Sequence, residues 1–257
     1  MRRPALAALI SLFACAALCP PAIAMVGGAS VVSNAASRPI VMITSDRGSF
    51  CTGTAIARDL VLTAAHCALP GANYKLIEFD AQRQPTLRDV TQVARHPQFS
   101  LQTLNAHRAT ADVALLKLAT PLSTAPVPLQ RPRERIAVGE RFTIQGYGLS
   151  VRGDGKSGGA LRTATLAATG QPGNLQLRLI DPATGGESAG LGACTGDSGG
   201  PAFQDNGGRL ELMGVISWST GPRNTAGCGG TTGVTPIELY RGWIVETARK
   251  MGANLQP

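Results

Sequence analysis

"CTGDSGGP", residues 194–201, sets one serine, Ser198, among glycines with an acid immediately before it. Read through Gly196 and Gly200, it spells G-x-S-x-G, the pattern of a nucleophile on a sharp strand-to-helix turn. That reading demands alternating β and α segments, and an acid and then a histidine after the serine. No histidine follows Ser198, because the three in the chain are His66, His96 and His107. Alternation is missing as well. Residues 39–44, 60–63, 141–145, 175–180 and 209–218 read as short strands, and Leu175 to Leu179 alternates apolar with polar. Gly and Pro clusters at 153–159 and 182–192 divide them. An all-β fold is therefore expected. One helix is expected at about 236–251, with Leu239, Trp243, Ile244 and Ala248 on one face. The Pro-rich, strand-poor stretch at about 120–140 reads as a linker between two lobes.

The first 24 residues read as a leader and not as part of the fold. Arg2 and Arg3 precede an apolar run over residues 5–18, and Ala22-x-Ala24 supplies the small residues of a cleavage site. A signal peptide over 1–24 is expected, too short for a stable membrane span, and with it an exported protein free of the membrane after cleavage. Its removal takes away Cys15 and Cys19 and leaves Cys51, Cys67, Cys194 and Cys228. Four cysteines in an exported chain imply two disulfides, with three connectivities open. They lack the paired short spacings of a zinc site. The leader carries two arginines and no acid, so the formal charge falls from +8 to +6. The arginines are scattered, and the tightest run, Arg131 to Arg135, is broken by Pro132 and Glu134. With few aromatics beside basic residues, no nucleic-acid partner is expected.

His66 sits in "VLTAAHC", residues 61–67, directly after an apolar strand, and Asp112 opens the apolar run "DVALLKL", residues 112–118. A carboxylate at the start of a buried strand needs a partner, because unpaired burial is costly. An imidazole held against it would satisfy the acid and fix the ring's tautomer. The second ring nitrogen would then be free to take a proton from a serine hydroxyl, a poor nucleophile by itself. Each of the three residues alone is ordinary. In their order, and with "MVGG", "FCTG", "HPQF", "GYG", "ACTGDSGGP", "GVISW" and "YRGWI" around them, they resemble the chymotrypsin-type (trypsin-like) serine proteases over nearly all of residues 25–257.

That resemblance implies two six-stranded antiparallel Greek-key β-barrels packed face to face, at about 25–125 and 140–235, followed by the C-terminal helix. It implies Ser198 as nucleophile, His66 as general base and Asp112 as its buried partner, with the backbone N–H groups of Gly196 and Ser198 as oxyanion hole. It pairs Cys51 with Cys67 and Cys194 with Cys228. It also implies that an α-amino group freed at Met25 folds inward onto Asp197. Since "MVGG" directly follows Ala24, signal cleavage would itself be the activating cut. The implied partner is a protein or peptide substrate, met by a monomer without cofactor.

The chain departs from the pattern in the substrate pocket. Gly192 stands where trypsin has an acid, and Ala193 follows, so no counter-ion for Arg or Lys is expected at the pocket floor. Ser217, Trp218, Ser219 and Gly233 are the expected walls. The stretch from Trp218 to Cys228 is longer than is usual for the family, and that from Cys228 to Gly233 shorter. After His66 only Glu78, Asp80 and Asp89 offer carboxylates where the family has a calcium loop, and no metal is expected. A protease-shaped binding protein is the alternative, since fold alone does not carry activity.

Overall fold

In the computed structural model of the 257-residue chain, residues 25–34, 38–108, 110–129, 136–170 and 175–255 are described. The expected signal peptide, 1–24, lies outside them. A two-residue strand, β1 (Ser30–Val31), comes first. Six strands then close into a barrel: β2 (Ile40–Ser45), β3 (Phe50–Ala57), β4 (Leu60–Thr63), β5 (Tyr74–Phe79), β6 (Pro85–Arg95) and β7 (Ala114–Leu118). A five-residue helix, α1 (Leu101–Asn105), interrupts the β6–β7 connection. Every residue of β4, Leu-Val-Leu-Thr, is buried, as its unbroken apolar run requires.

The second barrel contains β8 (Arg141–Gly146), β9 (Arg162–Gly170), β10 (Leu177–Ile180), β11 (Pro201–Asn206), β12 (Arg209–Ser219) and β13 (Thr231–Pro236). Around the first barrel the order is β2-β3-β4-β7-β6-β5, and around the second β8-β9-β10-β13-β12-β11. All pairings are antiparallel, and both barrels follow one plan in which the third strand meets the sixth. This is the expected all-β, two-barrel architecture. The period-two reading of 175–180 holds within β10, where Leu177 and Leu179 are buried and Arg178 faces solvent.

The strands of the first barrel begin only at Ile40. The segment before them lies against the second: β1 pairs with β9, and Met25 and Ala29 sit in the second barrel's apolar interior with Phe142, Ile144, Leu166 and Leu179. The linker is also stitched to that barrel, where the Leu212 N–H donates to the Pro128 carbonyl at 3.3 Å. At the C-terminus Pro236 closes β13, Glu238–Tyr240 make a 3-10 turn, and helix α2 runs over Arg241–Lys250. Ile244 and Ala248 are buried as expected, but Leu239 is 46% exposed. It falls in the 3-10 turn, whose tighter winding takes it out of register with the buried face of α2.

Candidate active site

Asp112 is fully buried just before β7, and three donors converge on its carboxylate. The His66 backbone N–H donates to Oδ1 at 3.0 Å, His66 Nδ1 lies 2.8 Å from Oδ2, and Ser217 Oγ donates to Oδ2 at 2.5 Å. With Nδ1 facing the carboxylate, that nitrogen carries the proton and Nε2 keeps its lone pair. His66 rides on a 3-10 turn, Ala65–Cys67, fastened to β3 by the Cys51–Cys67 disulfide. From the other side, the hydroxyl of Tyr240 accepts the Ala111 N–H at 2.7 Å. Ala111, fully buried with φ of 51°, adopts a left-handed turn that only such an anchor sustains cheaply.

Ser198 sits in the loop before β11, braced by the second disulfide, Cys194–Cys228. Thr52 of β3 holds this loop across the barrel interface. Its N–H donates to the Ser198 carbonyl and its hydroxyl to the Gly196 carbonyl, both at 2.8 Å. Within the loop the N–H groups of Cys194, Asp197, Gly199 and Gly200 all have protein acceptors. Those of Thr195, Gly196 and Ser198 meet none among the described residues, although orphaned backbone donors are rare. Gly196 has φ of 93°, and a Cβ there would run into the Phe50 ring. No other residue fits.

A cavity of about 340 Å³ collects these parts. Phe50, His66 and the Cys51–Cys67 bridge line it from the first barrel, and Ala193, Gly196, Ser198, Trp218 and Ser219 from the second. His66 and Ser198 share this space without a hydrogen bond between their side chains, as is common in empty sites whose catalytic bonds tighten only around a substrate.

Three residues expected at the floor or walls of the substrate pocket have further partners in the fold. Ser217 turns its hydroxyl to Asp112. Gly233 lies beneath the Trp218 ring, which occupies the space a Cβ would need. Gly192 forms a bridge with Val26, and Gly229 Cα stands 3.1 Å from where its Cβ would be, so it is not in the cavity lining.

The second buried carboxylate, Asp197, accepts the N–H groups of Gly148 and Cys194 at 2.8 Å each. The "GYG" segment wraps it so closely that a Cβ on Gly148 would stand 2.5 Å from its Cγ. Burial pushes its pKa up to about 7, against the opposing pull of the two amides and of Arg162. Met25 is fully buried in the core of the same barrel, but in this chain its nitrogen is in peptide linkage to Ala24 and carries no charge.

Cys51, His66 and Cys67 bring ligand atoms close together, but both sulfurs are in the disulfide and offer no thiolate. Of the acids after His66, Glu78 pairs with Arg88, Asp89 with Lys75, and Asp80 caps its own turn. The sequence reading missed the roles of Thr52, Ser217 and Tyr240. All three stand inside motifs that carry the resemblance, "FCTG", "GVISW" and "YRGWI", but none of those motifs says what the side chain will bond.

A family model described as trypsin matches residues 25–244. Among similar proteins, "Trypsin 5G1" of Aedes aegypti is 28% identical over 216 residues, which cover 77% of this chain and 75% of the relative. "Trypsin II-P29" of Gallus gallus is 29% identical over 211 residues, covering 77% and 79%. "Serine protease 1" of Canis lupus familiaris is 26% identical over 239 residues, covering 87% and 89%.

Proposed function

Because the chain belongs to the trypsin family of serine proteases, we propose that it is an exported endopeptidase working through an acyl-enzyme. The observation that carries this reading is one cavity holding His66, Ser198 and the backbone N–H groups of Gly196 and Ser198, which meet no acceptor among the described residues. Ser198 Oγ attacks the peptide carbonyl carbon while His66 Nε2 takes its proton. Asp112 holds the resulting imidazolium in place. The carbonyl oxygen, now carrying the negative charge, receives the N–H groups of Gly196 and Ser198, each worth about 100- to 1,000-fold in rate. Collapse breaks the C–N bond, and His66 hands its proton to the leaving amine. Water then attacks the Ser198 ester, again through His66, to release the acid and restore the serine.

The primary side chain of the substrate is expected to be uncharged and small to medium in size, or aromatic. Ala193 lines the cavity and, among the described residues, no carboxylate does, so a buried Arg or Lys would go unpaired. Activation follows from cleavage after Ala24. The freed Met25 amine becomes the cation for Asp197, and that pairing fixes the loop that carries the two amides. Export and activation are then one cut.

A fluorophosphonate probe and a peptide-library cleavage profile, each run beside Ser198→Ala, test this reading. Stoichiometric labelling at Ser198 and cleavage after uncharged residues are expected. A profile dominated by Arg and Lys would overturn the specificity. Failure of both labelling and cleavage in the processed protein would leave a binding protein of protease shape.

A further inference from the structure

Trp218 lies in a row of three strands. It is paired on β12 with Gly233 of β13, and Gly233 is paired in turn with Arg178 of β10. Residues directly opposite in adjacent strands face the same side. With no side chain at Gly233, the indole lies down across β13 toward β10. Its Nε1 donates to Oε1 of the buried Gln176 at 2.9 Å, which fixes the ring. The Arg178 guanidinium carbon stands 6.0 Å from the indole centroid. The imidazole of His107 stacks on the same indole, with centroids 4.9 Å apart and planes 21° apart. His107 is held there by the turn after α1, with φ of 52° and its N–H on the Leu104 carbonyl at 2.9 Å.

Both flanking side chains are exposed, while Trp218 is half-buried and lines the cavity with Ser198. Their polar groups are uncommitted. Several other basic side chains have partners: Arg152 donates to the Ala226 carbonyl and Arg223 to that of Glu187. Arg88 and Lys117 hold Glu78 and Asp59. Among the described residues, neither the Arg178 guanidinium nor the His107 ring makes a hydrogen bond or ion pair. A planar guanidinium and an imidazole N–H, both beside one indole, are donors suited to a carboxylate.

We propose that Trp218, His107 and Arg178 form a subsite for an acidic side chain of the substrate, located upstream of the bond that is cut. This rests on the protease reading above and adds a substrate class to it: extended peptides with Glu or Asp shortly before an uncharged residue. An extended chain advances about 3.3 Å per residue, so a side chain two to four positions upstream spans the distance from the scissile bond to the far side of an indole.

The test uses matched fluorogenic peptides that differ only in Glu or Gln at each of those three upstream positions. The processed protein should cleave the Glu peptide with a kcat/KM about three- to ten-fold higher at one of them. In the Arg178→Gln, His107→Gln double variant the ratio should fall to about one, and Arg178→Glu should turn the preference toward a Lys peptide. Titration of the same peptides into Ser198→Ala reads the subsite without chemistry. Glu-over-Gln binding there, with no hydrolysis by the wild type, would sink the protease reading and keep the subsite. Equal handling of Glu and Gln at all three positions in both assays, or a Glu preference that survives in the double variant, would overturn the subsite.

Discussion

Asp112 and Asp197 are both fully buried, both border the same cleft, and differ in how they are satisfied. Asp112 has three donors, one of them an imidazole able to become a cation, and all come from parts the fold itself assembles. Asp197 has two backbone amides, and its proton is held up to about pH 7. One site is complete as soon as the barrels close. The other has only those two amides, and the Met25 nitrogen, in peptide linkage to Ala24, is no cation for it. Under the activation proposed above, folding would complete the first site and processing the second.

The sharpest break is in the finished half. Ser198→Ala or His66→Ala should lower peptide turnover about a million-fold, with the double variant scarcely worse, because the residues act as one unit. Additive losses in steady-state assays would contradict that. The unfinished half should respond to position instead of identity. Two extra residues ahead of Met25 should cost about 1,000-fold in activity, comparable to losing oxyanion donors, while circular dichroism stays unchanged. Full activity in that variant would show that Asp197 needs no α-amino partner.

The comparison sharpens with pH. In the uncut chain the folded state binds the Asp197 proton more tightly than the unfolded state, with a pKa of about 7 against 3.8. Stability should therefore be highest below about pH 4 as far as this group is concerned, fall as pH rises, and level off once past about pH 7, a loss of about 4 kcal/mol. Denaturant unfolding of full-length Ser198→Ala at pH 5 and pH 8.5 should read about 3 kcal/mol of that loss, the part between pH 4 and 5 having already gone. The processed protein, with an ammonium beside the carboxylate, should not show this fall. The smallest effect is expected at Tyr240→Phe, which leaves the Ala111 N–H unanswered and loosens the turn into Asp112. A three- to ten-fold drop in kcat with KM unchanged, about 1 kcal/mol, should appear in initial-rate kinetics.

His66, Asp112 and Ser198 were readable as candidates because each lies in a short run whose neighbours fix its setting: a buried strand before His66, another after Asp112, a glycine cage around Ser198. The pocket was not readable in the same way. Whether Gly192 lines the cavity depends on where Gly229 passes, and no residue type sets that. Tyr240 was hidden by distance, since its partner Ala111 lies in the other half of the chain and a tyrosine leading into a helix gives no signal of what its hydroxyl will meet. The helix boundary missed Leu239 because a 3-10 turn and an α-helix look alike in apolar spacing over so few residues.

The pairing of β1 with β9 also sets a schedule. Ser30 and Val31 stand near the start of the chain, but their partners Thr163 and Arg162 come only after the whole first barrel and the linker. Until then the amino-terminal segment has no strand to join and Met25 no core to enter, so the slow, long-range closure comes last. The burial of Met25 in that core is thus tied to the completion of the second barrel, so that folding of the amino-terminal segment is the last step of folding the whole domain.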